Sequence, residues 1–76
     1  RGLARQLVMR FLYQARLRGA DAAFLEVSVE NAAAIALYES LGFTRSGLRR
    51  GYYRTPEGDR IDAVVMARAL AAMPGS

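Results

Sequence analysis

The sequence has no histidine and no cysteine, so acid–base work falls to Asp, Glu or Tyr, and a cysteine nucleophile or a zinc site of the usual kind is excluded. Glu26 is the first residue of interest. It stands in the middle of "AAFLEVSV" (22–29), where an apolar strand would strip its hydration and favour the proton-accepting work of a general base. Position alone is accounted for better by an ion pair with one of the arginines, or by an edge strand facing water. Asn31, Ile35 and Tyr38 in "NAAAIALYESLGF" (31–43) are spaced i, i+4, i+7, which sets them on one helical face over roughly 10 Å. An amide and a phenol could thus look into one groove, or Asn31 is a cap and Tyr38 an amphipathic core residue. "RGLAR" (1–5) opens a helix with small residues, and Gly2 and Ala4 would let backbone N–H groups approach an anion there. Many helices open that way without binding anything. Tyr52 and Tyr53 are adjacent in a segment that reads as loop, where they would line a peptide groove or cap the core edge.

These residues need elements to hold them. Apolar residues at 3, 7, 8, 11, 12 and 15 recur at helical spacing, with Gly19 as a stop, so a helix is expected over about 3–18. Residues 22–29 read as a strand buried on both faces, because Phe24 and Leu25 are adjacent apolars that point to opposite sides. A second helix spans 31–41, with Asn31 as its N-cap, Gly42 just past its end and Phe43 packing back on its last turn. Residues 44–50 form a strand that runs into a loop at 51–54. "TPEGDR" (55–60) is a turn built on Pro56 and Gly58. Residues 61–70 are a strand that pairs with 44–50 as a hairpin, and 71–76 are a tail. The order is α-β-α-β-β, an α+β class in which helices back a sheet.

Seventy-six residues make one small domain or a piece of one. A chain of this size buries only about 60% of its unfolded surface. It opens on Arg1 with helical periodicity already running by Leu3, which is the pattern expected of a fragment whose first half lies upstream. No segment has the form of a signal peptide, and the longest apolar run, 32–37, is too short to span a bilayer. A cytoplasmic place and no membrane partner are the expectations. All eleven basic residues are arginine, and the formal charge is +4. Arginine suits phosphates and carboxylates, but Arg49–Arg50 is the only adjacent pair. With no basic block, no nucleic acid partner is expected, and an all-arginine set also follows from genomic base composition.

Together, "LEVSVENAAAIALYESLGF" and "RRGYYRTPEGDRIDAVVM" resemble the C-terminal half of the GCN5-related N-acetyltransferases (GNAT), and within them the ribosomal-protein-alanine branch. The resemblance covers about residues 2–68. Its specific signals are N-x-x-A-I-x-L-Y-x-x-x-G-F for the superfamily, and R-R-x-Y-Y with G-x-x-x-D-A-x-x-M for the N-terminal-peptide branch. It implies the C-terminal part of a mixed GNAT sheet over 1–70, with acetyl-CoA carried where two central strands splay. Gly2 and Ala4 match the G-x-G/A half of the family's pyrophosphate loop, whose leading Gln/Arg would lie upstream of Arg1. Glu26 matches the general base and Tyr38 the general acid for the leaving thiolate. Asn31 matches the amide that contacts the cofactor arm or helps order water near it, and Tyr52 and Tyr53 match the hairpin tyrosines that grip a peptide.

The reaction so implied is transfer of acetyl from acetyl-CoA to a protein N-terminal α-amino group, that of a ribosomal protein among the candidates, by direct attack of the amine on the thioester. No metal is implied. The fragment itself is expected to be inactive, to bind acetyl-CoA weakly, and to self-associate through the uncovered side of 24–29. The alternatives are an acetyltransferase for a small amine, and a non-catalytic piece that associates through its sheet edge or binds nucleic acid by charge.

Overall fold

In the computed structural model, residues 2–70 are described; Arg1 and the expected tail at 71–76 lie outside the described residues. The elements are α1 (Gly2–Leu17), β1 (Ala22–Ser28), α2 (Ala32–Ser40), β2 (Thr44–Arg54) and β3 (Arg60–Ala69). Both helices, β1, β3 and the start of β2 fall within a residue or two of the expected bounds. The last strand pairs with β2, as a hairpin should, but it also pairs with β1. The sheet order is β1-β3-β2, antiparallel at both junctions. The last of the described strands therefore lies between the other two, and the far side of β1 is a free edge among the described residues.

Side-chain alternation divides the sheet into two faces. Val27 of β1 stands across from Val64 of β3, and Leu25 across from Met66. These four join a core with Leu12 of α1 and Ile35 of α2, so both helices cover the same face. The opposite face carries Phe24 and Glu26 and is not backed by a helix. The expectation that 22–29 is buried on both faces is thus corrected: Phe24 is 69% exposed. Adjacent apolar residues report a strand with apolar surface on both sides, not that both sides are covered. Helix α1 has the same property. Val8, Leu12 and Ala15 pack inward, while Leu3, Leu7 and Phe11, spaced four apart, remain exposed.

Helix α2 starts and stops as its sequence dictates. The Asn31 side chain accepts a hydrogen bond from the Ala34 N–H at 3.1 Å, which satisfies one of the free donors of the first turn. At the other end the Gly42 N–H reaches the Glu39 carbonyl (3.1 Å) and the Phe43 N–H reaches the Tyr38 carbonyl (3.0 Å). This is the paired closure that needs a left-handed residue, and Gly42 supplies it with φ 91°. Arg68 locks the junction by donating to the Leu41 carbonyl at 2.7 Å. Phe43 is thereby turned into the core, with its ring edge-on to Tyr38 at 5.6 Å. No helix among the described residues is long and apolar enough to cross a membrane.

Candidate active site

Glu26 lies on the face of β1 that no helix covers, and its side chain keeps 31% exposure. The apolar enclosure expected from the sequence is absent there. Instead its carboxylate meets the Arg49 guanidinium of β2 at 3.1 Å. The two reach each other across β3, because Glu26 stands opposite Val65 and Arg49 opposite Ala63 on that strand. Arg49 also sits over the Tyr52 ring, 5.0 Å from its centroid. The Tyr53 hydroxyl donates to the Glu26 backbone carbonyl at 3.4 Å. The candidate base and both candidate peptide-gripping tyrosines are therefore one cluster, and Arg49 joins them. A pair this exposed is worth only ~0–1 kcal/mol, so the guanidinium can be displaced.

The tyrosines do not sit in a loop: β2 runs through them to Arg54. Two adjacent residues of a regular strand would point to opposite faces. Here Arg49 pairs with Ala63 and Tyr53 with Ile61, so Arg50, Gly51 and Tyr52 all stand against Asp62 alone. This bulge turns the strand and brings the Tyr52 and Tyr53 rings edge to face at 5.0 Å. The Gly51 N–H donates to Asp62 Oδ1 at 2.8 Å, and Arg60 donates to the Gly51 carbonyl at 3.1 Å. Gly51 adopts φ 60°. Asp62 thus shapes the site without lining it. A glycine inside a strand-like run was the one available sign of this bulge.

Tyr38 and Asn31 are not brought to a common groove. Tyr38, half-buried, lines an apolar groove of about 330 Å³ with Leu7, Phe11, Phe24 and Leu25, at the free edge of β1. Its hydroxyl makes no hydrogen bond among the described residues. Asn31 is exposed, lies one element-end away, and spends its side-chain oxygen on the cap. Tyr38 packs with the helix-covered core and Glu26 points from the other face, so the two candidate proton carriers approach β1 from opposite sides.

Gly2 and Ala4 open α1 beside the small-residue flank of α2. Gly2 and Arg5 line a groove of about 630 Å³ with Ala33, Ala36 and Ser40. A Cβ on Gly2 would meet nothing within 4 Å, so nothing described fills the space in front of that helix end. Arg5, which drew no notice as a sequence, reaches across to Ser40 Oγ at 2.9 Å.

The model of the acetyltransferase (GNAT) family matches residues 1–43, which is more than half of the chain. The chain belongs to the GNAT family. It is 49% identical over 71 residues, 93% of its length, to the [ribosomal protein bS18]-alanine N-acetyltransferase of Salmonella typhimurium. Among solved structures, the ribosomal-protein-S18-alanine N-acetyltransferase of Escherichia coli is 47% identical with a TM-score of 0.80, over 99% of this chain and 47% of that one. The structure of yncA from Salmonella typhimurium with its cofactor acetyl-CoA is 29% identical with a TM-score of 0.84, over 99% and 43%. The chain spans about half the length of the curated relatives it matches.

Proposed function

We propose that these residues belong to an enzyme that transfers the acetyl group of acetyl-CoA to the N-terminal α-amino group of a protein, a ribosomal protein being the favoured class of acceptor. The observation that carries this reading is the tie between relatedness and geometry. A chain 49% identical to a bS18-alanine N-acetyltransferase over 93% of its length also gathers Glu26, Tyr52 and Tyr53 into one cluster. Acetyl-CoA as co-substrate is supported by the yncA structure, which carries it. Gly2, Ala4 and Asn31 are the residues assigned to it, with Arg5 at the edge of the same groove as Gly2.

In this reading Glu26 takes the proton from the acceptor ammonium. An α-amino group has a pKa of about 7.7–8.0, so a modest base is enough to free the lone pair. The amine attacks the thioester carbonyl, the C–S bond breaks, and Tyr38 delivers its phenolic proton to the departing thiolate. No protein nucleophile is needed, consistent with a chain that has no cysteine. Placement of the two carriers on opposite sides of β1 suits a reaction in which amine and thioester enter from opposite sides of the strand. Tyr52 and Tyr53 flank the first residues of the acceptor.

The test uses an acetyltransferase domain of the relatives' length that carries these residues. Glu26→Gln should lower kcat by roughly 10²–10⁴ near neutral pH, and the loss should shrink above the amine pKa, where the acceptor is already deprotonated. Tyr38→Phe removes the proton donor and should not be rescued by raising pH. An unchanged kcat for Glu26→Gln from about pH 6 to about pH 9 would overturn the assignment. Faster turnover of a polyamine than of a peptide α-amine would move the acceptor to the small-amine class.

A further inference from the structure

The Glu26 carboxylate already has a cationic partner. Arg49 Nη1 lies 3.1 Å from Glu26 Oε2, and the same guanidinium is stacked 5.0 Å over the Tyr52 ring. The acceptor proposed above also arrives as a cation, and it needs the same carboxylate. Arg49 occupies Oε2, and a second cation brought to the same carboxylate is repelled by it. We propose that Arg49 is a tethered competitor for Glu26, which the acceptor ammonium must displace, and that Tyr52 is the platform on which the displaced guanidinium rests. This rests on the reading above in which Glu26 is the carboxylate that meets the acceptor amine.

Three features favour displacement over a fixed brace. The Arg49 side chain is 55% exposed and that of Glu26 31%, so water can replace either partner. The contact is a single nitrogen–oxygen approach rather than the two-pronged pairing that fixes arginine to carboxylate firmly. The contact with the Tyr52 ring is made at the same time as the ion pair and does not require Glu26, so it still holds the guanidinium when the carboxylate changes partner. Arg49 is thus a positioning residue: it keeps the Glu26 carboxylate occupied until an amine enters, and it sets the minimum affinity an amine must have. The Tyr53 hydrogen bond to the Glu26 backbone holds the strand, not the carboxylate, and leaves the side chain free to exchange partners.

The experiment measures peptide binding by titration calorimetry and steady-state kinetics in a domain of the relatives' length. Arg49→Met removes the competing cation and keeps a stem for Tyr52 to pack on. It should tighten acceptor Kd and lower acceptor KM by about two- to fivefold, the range of an exposed ion pair. The KM for acetyl-CoA should not move. Arg49→Lys keeps a cation and should lie near the parent. A purely structural role predicts the reverse, a weaker acceptor Kd in Arg49→Met, and that result or an unchanged Kd in the folded variant overturns the proposal. The cycle with Glu26→Gln separates the two assignments. If Arg49→Met still tightens binding when residue 26 is Gln, the competition is not at Glu26 and the proposal fails, whatever Glu26 does in catalysis. If the effect vanishes in that background while Glu26→Gln leaves kcat intact, the competition stands and the base assignment fails.

Discussion

Substituting Asp62 by Ala tests whether the bulge is held from behind. The Asp62 carboxylate accepts the Gly51 N–H at 2.8 Å, in a half-buried setting, while Arg60 of the same strand donates to the Gly51 carbonyl. A hydrogen bond to a charged group is worth about 1.5–3 kcal/mol. Asp62→Ala forfeits that and strands the Gly51 N–H. Asp62→Asn keeps an oxygen in place without its charge and should cost about 1 kcal/mol, the value of a neutral pair. The backbone of residue 62 is not at risk in either variant, because its carbonyl separately accepts the Val29 N–H at 3.0 Å. In a domain of about 150 residues the alanine variant should melt roughly 3–12 °C lower. The local consequence is more telling than the melt. Without the bond the bulge relaxes, Tyr52 swings away from Tyr53, and their 5.0 Å edge contact is lost. Ring-to-ring cross-relaxation by NMR should fade, and the acceptor KM should rise while the KM for acetyl-CoA holds. A variant that melts normally and keeps both the ring contact and the acceptor KM would show that the bulge is shaped by Gly51 and its neighbours alone, and the reasoning would fail.

Gly42→Ala should destabilise by about 1–2 kcal/mol, because φ there is positive. The added Cβ would also sit 3.1 Å from Arg68 Nε and push the guanidinium off the Leu41 carbonyl; urea midpoints measure it, and an unchanged midpoint would mean that the helix end relaxes at no cost. Tyr52→Ala and Tyr53→Ala should each raise the KM for a peptide α-amine without altering the KM for acetyl-CoA. If both constants stay put in folded variants, the tyrosines are structural and a small-amine acceptor gains ground.

Helix α2 was legible because its punctuation is chemical: Asn31 caps by bonding Ala34, and Gly42 closes by adopting a conformation few other residues tolerate. The hairpin was legible from Pro56 and Gly58 between two apolar runs. Three things were not. That 22–29 has one open face could not be read from Phe24 and Leu25, since apolar surface does not announce its partner. The central place of β3 depends on a pairing between residues such as Ala22 and Ala69, and local pattern says nothing about contacts so distant. The Arg49–Glu26–Tyr52 cluster depends on a bulge that reverses the direction Tyr52 would otherwise point. An ion pair with one of the arginines was a reading open to Glu26 from the start, but which arginine is a matter of strand register.

Because β3 is the last of the three described strands and lies between the other two, the order of synthesis runs against their order of assembly. Strand β1 emerges from the ribosome some forty residues ahead of its partner, as the pairing of Ala22 with Ala69 requires. At translation rates of ~5–20 residues per second that is a wait of a few seconds. During it, Phe24 and Leu25 face water on a strand with no bonded neighbour among the described residues, and loop closure over such a span is entropically slow. Helix α2, closed at both ends by its own residues, can form in the interval, but β1 and β2 cannot be joined into one sheet until Val64 and Met66 are free of the tunnel. A nascent chain stalled before β3 is therefore the species that should engage chaperones, and release of the last ten strand residues is the event that ends the engagement.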